Sequence, residues 1–307
     1  MMKKPAEYKP QLAMLSATAS LITVLILILI KGGAFTASGS TAVLASMIDS
    51  ILDAAISIMS FLAVRYSMKP ADNDHRHGHG KIEGLVAIFQ GAFIAGAGVA
   101  LLIESFLRFQ NPQPVESHFA AITVMVISII LSIGLVIIQK ISLRKAPSLA
   151  IEADKTHYGM DILVNIGVIA VLAALYYGAP TWIDPAFAIG VVVYMILTVK
   201  TVVMKGIDML LDKEVSGDIR ERIIHQVLSH PGVLGMHDLR TKKSGMRIFV
   251  SFDIEVDAEL SLAAAHDITK DLEKELFHNF PNAEVMIHVD PYGDTDDIRH
   301  QVAGVHH

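Results

Sequence analysis

The amino-acid sequence predicts a membrane protein of six transmembrane α-helices followed by a small α+β domain. Three observations lead there. Of its 307 residues 52% are hydrophobic and only 18% are charged, against the usual quarter in soluble domains. Long apolar runs dominate up to about residue 208. Beyond that point charged and apolar residues interleave with helix and strand periods, as in a small globular domain.

A helix needs about 20 apolar residues to cross the hydrocarbon core. Six stretches qualify: 11–33, 39–66, 83–109, 118–142, 148–178 and 183–208. Turn chemistry separates them: Gly32-Gly33 after the first, Asn111-Pro112-Gln113-Pro114 after the third, Pro147 before the fifth and Gly178-Ala179-Pro180 after it. The first run is too long for the h-region of a cleaved signal peptide and lacks a small-residue cleavage pattern, so it reads as a span.

Lys and Arg set the orientation. Lys3, Lys4 and Lys9 precede the first span, Arg65, Lys69, Arg76 and Lys81 follow the second, and Lys140, Arg144 and Lys145 follow the fourth. Lys200 and Lys205 lead into the C-terminal domain, while the opposite connections offer little more than Lys31 and Arg108. Both termini and the C-terminal domain are therefore expected in the cytoplasm. The expected divisions are 1–10, a cytoplasmic N-terminus; 11–208, the transmembrane domain; 209–292, a cytoplasmic domain; and 293–307, a disordered tail that includes His300, His306 and His307.

Composition also excludes. The chain has no cysteine, which removes disulfides, thiolate metal sites and Cys nucleophiles. A net charge of −6 and the absence of a basic cluster leave no footprint for nucleic acid. Any metal bound here uses imidazole and carboxylate.

The second span carries Asp49 and Asp53, the fifth His157 and Asp161. Each pair is spaced i, i+4 and projects from one helix face. Two such helices side by side present three carboxylates and one imidazole to a single point, a set suited to tetrahedral Zn²⁺. An acid at membrane depth costs about 2.5–3.5 kcal/mol even on the lenient insertion scale, and a bound divalent cation compensates it. Glu152 and Asp154, nearer the start of the fifth span, read as capping or solvated acids.

In the C-terminal domain, 217–229 has an amphipathic helical pattern with Ile219, Ile223, Ile224 and Val227 on one side. Pro231-Gly232 breaks it before a strand at 233–241, and Lys243-Ser244-Gly245 signals a turn. Ile248, Val250, Phe252, Ile254 and Val256 alternate along the next strand, a helix covers 261–279, and 284–289 alternates again. The order is αββαβ. Asp253 faces away from the apolar set of its strand, and His288 and Asp290 share one side of the last. With His237 and His266 these residues are candidates for a two-metal site; His118, His225, His230 and His278 have no partner by spacing and read as surface residues.

The chain resembles the cation diffusion facilitators, most closely their bacterial zinc-exporter type. The resemblance rests on Asp49-x-x-x-Asp53, the loop from Pro70 through His75 and His79 to Lys81, the stretch Glu152 to Asp161, and Gly235-Met236-His237-Asp238-Leu239-Arg240. It implies a homodimer exchanging cytoplasmic Zn²⁺, also Cd²⁺ or Fe²⁺, for protons by alternating access around the Asp49, Asp53, His157 and Asp161 site. It implies a loop site of Asp72, His75 and His79, with His77 unassigned, and a tail domain of ferredoxin-like type binding metal through His237, Asp253, His266, His288 and Asp290. Asp253 departs from a close member of the family, which has histidine there. The resemblance further implies an ion pair of Lys81 with Asp212.

The chemistry fits exchange, because ligands must lose protons to bind metal and imidazole, with an ordinary pKa of about 6.5, changes charge near neutrality. A passive cation channel, a metal sensor and an exporter preferring Mn²⁺ or Co²⁺ remain alternatives. A membrane metalloprotease does not, since no HExxH helix occurs.

Overall fold

The computed structural model describes residues 8–38, 41–110, 119–180 and 182–293. Lys3, Lys4, the break at 111–114, His118 and the tail beyond Gly293 lie outside them. The described chain forms two compact units that divide at Asp208.

The first unit holds six helices, each long and apolar enough to cross a membrane. They are α1 (Gln11–Ser38), α2 (Thr41–Ser67), α3 (Ile82–Gln110), α4 (Phe119–Leu143), α5 (Leu149–Tyr176) and α6 (Ile183–Leu210). The first expectation to fail is the break at Gly32-Gly33, because α1 runs through both glycines. Neither glycine has a positive φ, and small residues in membrane helices serve close packing as readily as turns. Lys31, read as part of a connection, therefore lies inside a helix. At the end of α5 the turn is real, with Gly178 at φ 87°, a conformation glycine adopts without strain.

The unit is ordered inside out. Ala13, Ser16, Ala17, Ser20, Val24, Leu27 and Lys31 form one buried stripe along α1, which packs on α2 and α4. Large apolar side chains such as Leu29, Ile130 and Leu197 stand outward, where lipid would cover them. Between α3 and α6 the backbones approach closely: a Cβ on Gly206 would sit 2.7 Å from the Gly84 carbonyl oxygen. Ile94, Met160, Val191, Met195 and Val199 then fill the space between α3, α5 and α6.

The start of α5 is fixed by a carboxylate from another helix. Glu83, in the first turn of α3, is fully buried. It accepts hydrogen bonds from the Ser67 hydroxyl at 2.6 Å, the Ser148 hydroxyl at 2.7 Å and the Leu149 backbone N–H at 2.7 Å. The first N–H groups of a helix have no partner within it and carry its positive dipole end. A carboxylate there answers both needs, and Ser148 adds its own cap to the Ile151 N–H.

The second unit contains α7 (Gly217–Leu228), β1 (Gly235–Ser244), β2 (Arg247–Val256), α8 (Leu262–Asn279) and β3 (Ala283–Pro291). This is the αββαβ order, with β2 central, antiparallel to β1 and parallel to β3. Gly245, at φ 57°, opens the two-residue connection from β1 to β2. The alternating residues of β2 are buried with Ile223, Val227, Leu272 and Leu276, so both helices cover one face of the sheet. The other face is free to carry polar groups.

Replacing Glu83 tests the cap at α5. Glu83→Ala would leave two hydroxyls and a backbone N–H without their acceptor, destabilising the unit by about 2–4 kcal/mol. A lowered melting temperature of the detergent-solubilised protein is expected; wild-type melting would show that water replaces the carboxylate without cost.

Candidate metal centres

Among the described residues, three groups of ligand-type side chains converge. In the membrane unit Asp53, His157 and Asp161 each bring one ligand atom within 4.8 Å of the others. His157 Nε2 lies 3.0 Å from Asp53 Oδ1 and 3.4 Å from Asp161 Oδ2. Four ligands at 2.0–2.1 Å in a tetrahedron are separated by about 3.3 Å, so these are the edges of a zinc-sized polyhedron. Asp49, one turn earlier on α2, does not join the trio at this spacing and is exposed. It lies on the same side of the helix, spaced i, i+4 from Asp53.

The polar surroundings of this trio were not foreseen. Asp154 is fully buried, where a capping or solvated acid was expected. It lies five residues into α5, past the first turn, and accepts from the Ser20 hydroxyl at 2.5 Å and the Gln139 side-chain amide at 2.7 Å. Ser57 lies 3.3 Å from Ser20 and 2.9 Å from the Tyr158 hydroxyl. Four helices thus meet around one carboxylate. Glu152 is a solvent-side acid as expected, paired with Lys205 at 2.6 Å.

The second group lies in the connection between α2 and α3. Asp72 accepts from the backbone N–H groups of His75, at 2.8 Å, and Asp74, at 3.1 Å. That turn folds the loop back on itself and sets Asp72 Oδ1 3.3 Å from His75 Nδ1 and Asp72 Oδ2 3.2 Å from His79 Nε2. The His75 backbone N–H holds the Asp72 carboxyl below the usual carboxylate range, with further help from Asp74 and the His75 ring. His79 is buried against the Tyr66 ring, and its Nδ1 makes no hydrogen bond. The trio offers an ionised oxygen and two nitrogens on the rim of the unit, and His77 is not part of it.

The third group lies on the open face of the sheet. Pairing sets His237 opposite Asp253 and Asp253 opposite His288, a row across all three strands. A bulge follows His237, with Asp238 at φ 48°, an uncommon conformation that Asp tolerates better than most residues. His237, Asp253 and Asp290 converge: His237 Nδ1 is 3.8 Å from Asp253 Oδ2, and Nε2 is 3.5 Å from Asp290 Oδ2. Asp290 Oδ2 is enclosed and accepts no hydrogen bond. His288 Nε2 is 3.0 Å from Asp290 Oδ1, whereas His266 stands exposed on α8 outside the group.

Glu255 was missed by the sequence reading. Its Oε1 lies 3.9 Å from His237 Nε2, and the signal was its position two residues beyond Asp253 on the same strand face. Burial pushes the Asp253 carboxyl above its ordinary range, against the pull of His288 and His237. Asp212 lies 3.7 Å from Lys242 within the C-terminal unit, and Lys81 belongs to the membrane unit.

Comparison with known proteins gives the same division. Residues 17–211 match the family model of the cation efflux transmembrane domain, and residues 215–292 that of the cation efflux protein cytoplasmic domain. The chain is similar to the cation-efflux pump FieF of Shewanella oneidensis, 42% identical over 277 residues that cover 90% of this chain and 93% of the relative. It is 37% identical over 294 residues to FieF of Yersinia enterocolitica, covering 95% and 98%. Among solved structures, the metal-bound C-terminal domain of the CzcD transporter from Thermotoga maritima is 32% identical; it covers 26% of this chain and 93% of that one, with a TM-score of 0.25.

Asp253 provides a test of the sheet-face group. Imidazole favours Zn²⁺ over the harder Mn²⁺, so Asp253→His should raise the preference of the C-terminal unit for Zn²⁺ by at least about tenfold. Calorimetric titration of the full chain with both ions reads this, and equal changes for the two would remove Asp253 from the ligand set.

Proposed function

The chain belongs to the cation efflux family, and from that premise we propose that it exports divalent metal ions, Zn²⁺ foremost with Cd²⁺ and Fe²⁺ also carried, in exchange for protons. It is a multi-pass membrane transporter rather than an enzyme. The proposed path runs from the cytoplasm across the bacterial inner membrane, with both termini cytoplasmic, as the Lys and Arg distribution supports.

One observation carries the exchange. The 3.0 and 3.4 Å separations of His157 Nε2 from Asp53 and Asp161 suit a tetrahedral ion, and the 3.0 Å contact with Asp53 equally suits an N–H···O hydrogen bond. The same atoms can therefore hold either a metal or a proton, with little movement between the two states. Metal binding expels protons and protonation expels metal. If that trio, with Asp49 as fourth ligand, faces the cytoplasm and the periplasm in turn, the pH difference across the membrane drives export by alternating access.

The loop and sheet-face groups lie outside the pathway and suit regulation. Asp72, His75 and His79 would hold cytoplasmic metal at the rim. His237, Asp253, His288 and Asp290, with His266, would bind it where two C-terminal units of a homodimer approach. Metal between two copies would couple cytoplasmic concentration to transport rate, because a ligand shifts an equilibrium by its differential affinity for the two states.

Transport into proteoliposomes tests the proposal. A pH gradient imposed across the wild-type membrane should drive Zn²⁺ uptake, while a channel would be nearly indifferent to it. Even outer-sphere changes cost 10–100-fold in metal affinity, so Asp53→Asn and His157→Ala should lower uptake by at least about a hundredfold. Comparison across Zn²⁺, Cd²⁺, Fe²⁺, Mn²⁺ and Co²⁺ sets the selectivity. Wild-type rates in either variant would exclude the trio from the pathway.

A further inference from the structure

Among the described residues, the membrane unit contains one buried lysine that the exchange cycle leaves unused. Lys31 lies on the inward stripe of α1 and is 6% exposed. Its Nζ donates to the Ser50 hydroxyl at 2.7 Å and to the Ser46 carbonyl oxygen at 3.0 Å. Ser46, Ser50 and Asp53 are spaced i, i+4, i+7 and share one face of α2. The ammonium therefore sits about one turn from Asp53 on the face that carries it. Asp53, Asp49 and Asp161 all act on it electrostatically. A lysine at membrane depth is costly and is retained where it meets opposite charge.

We propose that Lys31 is a built-in counter-cation of the transport site and sets how tightly that site holds a divalent ion. Three carboxylates carry three negative charges; one divalent ion and one ammonium carry three positive ones. The loaded site is then neutral, the form a low-dielectric surrounding tolerates best. Lys31 also repels the incoming metal, and so weakens an otherwise very tight set of carboxylates enough for the ion to leave. Its two hydrogen bonds to α2 keep the ammonium off the carboxylates, so it tunes the site without occupying it.

This inference rests on the reading of Asp49, Asp53, His157 and Asp161 as the transport site, and the test separates the two. Zn²⁺ binding is measured by calorimetry in detergent on the full chain carrying Asp72→Ala and Asp290→Ala, which silences the other two groups. Lys31→Gln keeps a hydrogen-bond donor and Lys31→Met keeps the length, while both remove the charge. A unit charge at this range acts strongly in a medium of effective dielectric about 20, so either variant should bind Zn²⁺ on the order of tenfold more tightly. Export in proteoliposomes should be slower than wild type in both. Lys31→Arg, which keeps the charge, should restore both properties.

A merely structural lysine would lower the melting temperature in all these variants without tightening binding, and that result overturns the proposal. Should one neutral variant fail to fold, the other gives the same reading. Absence of Zn²⁺ binding in the Lys31-intact parent would instead overturn the transport site itself.

Discussion

Charge at membrane depth governs this molecule. Hydrocarbon offers no solvation, so each ionisable group inside the bundle must be met by another part of the chain. The structure meets the demand largely with serine. Asp154 is held by Ser20 and Gln139, Glu83 by Ser67 and Ser148, and Lys31 by Ser50. A hydroxyl can donate to an acid or accept from a base and needs little room, so it allows helices to approach closely. Asp53, His157 and Asp161 instead satisfy one another, and on that mutual dependence the proposed exchange of proton for metal rests.

The helices and the trio were legible because their signals are local. A 20-residue apolar run needs no partner to be recognised, nor does an i, i+4 pair of ligands. The strands of the C-terminal unit were equally plain, since Ile248 to Val256 alternate strictly and the turn chemistry at Gly245 fixes where the chain reverses. What escaped notice depends on distant residues. Asp154 looks like any acid near a helix start until Ser20, 134 positions away, and Gln139 are seen against it. Lys31 beside two glycines has the composition of a loop, and only the buried stripe of α1 reveals it as an inward residue. Glu83 likewise takes its meaning from the start of α5.

The sheet-face group illustrates the same division on a smaller scale. The spacing of His288 and Asp290 could be read along the chain, but the row from His237 through Asp253 to His288 depends on register. Register in turn depends on the bulge at Asp238, which shifts the pairing beside the candidate ligands. With Glu255 close by, the group is richer in oxygen than its histidines alone suggest. Its chemistry is therefore harder, and more accommodating of ions such as Mn²⁺, than an all-imidazole set.

The anchoring of α5 has a mechanical meaning. Glu83 ties the first residue of that helix to the ends of two others, so in the proposed cycle the tie would serve as a pivot and the helix as a lever. His157 stands eight residues along it, a distance of about 12 Å at 1.5 Å per residue. A tilt of about 10° about the pivot carries the imidazole by about 2 Å, the length of a bond from zinc to nitrogen. In the proposed cycle, a rotation too small to disturb the packing near Leu149 would be enough to open or close a coordination shell. A bundle that stays rigid where its helices are fastened would then still be able to take apart an ion's cage farther along.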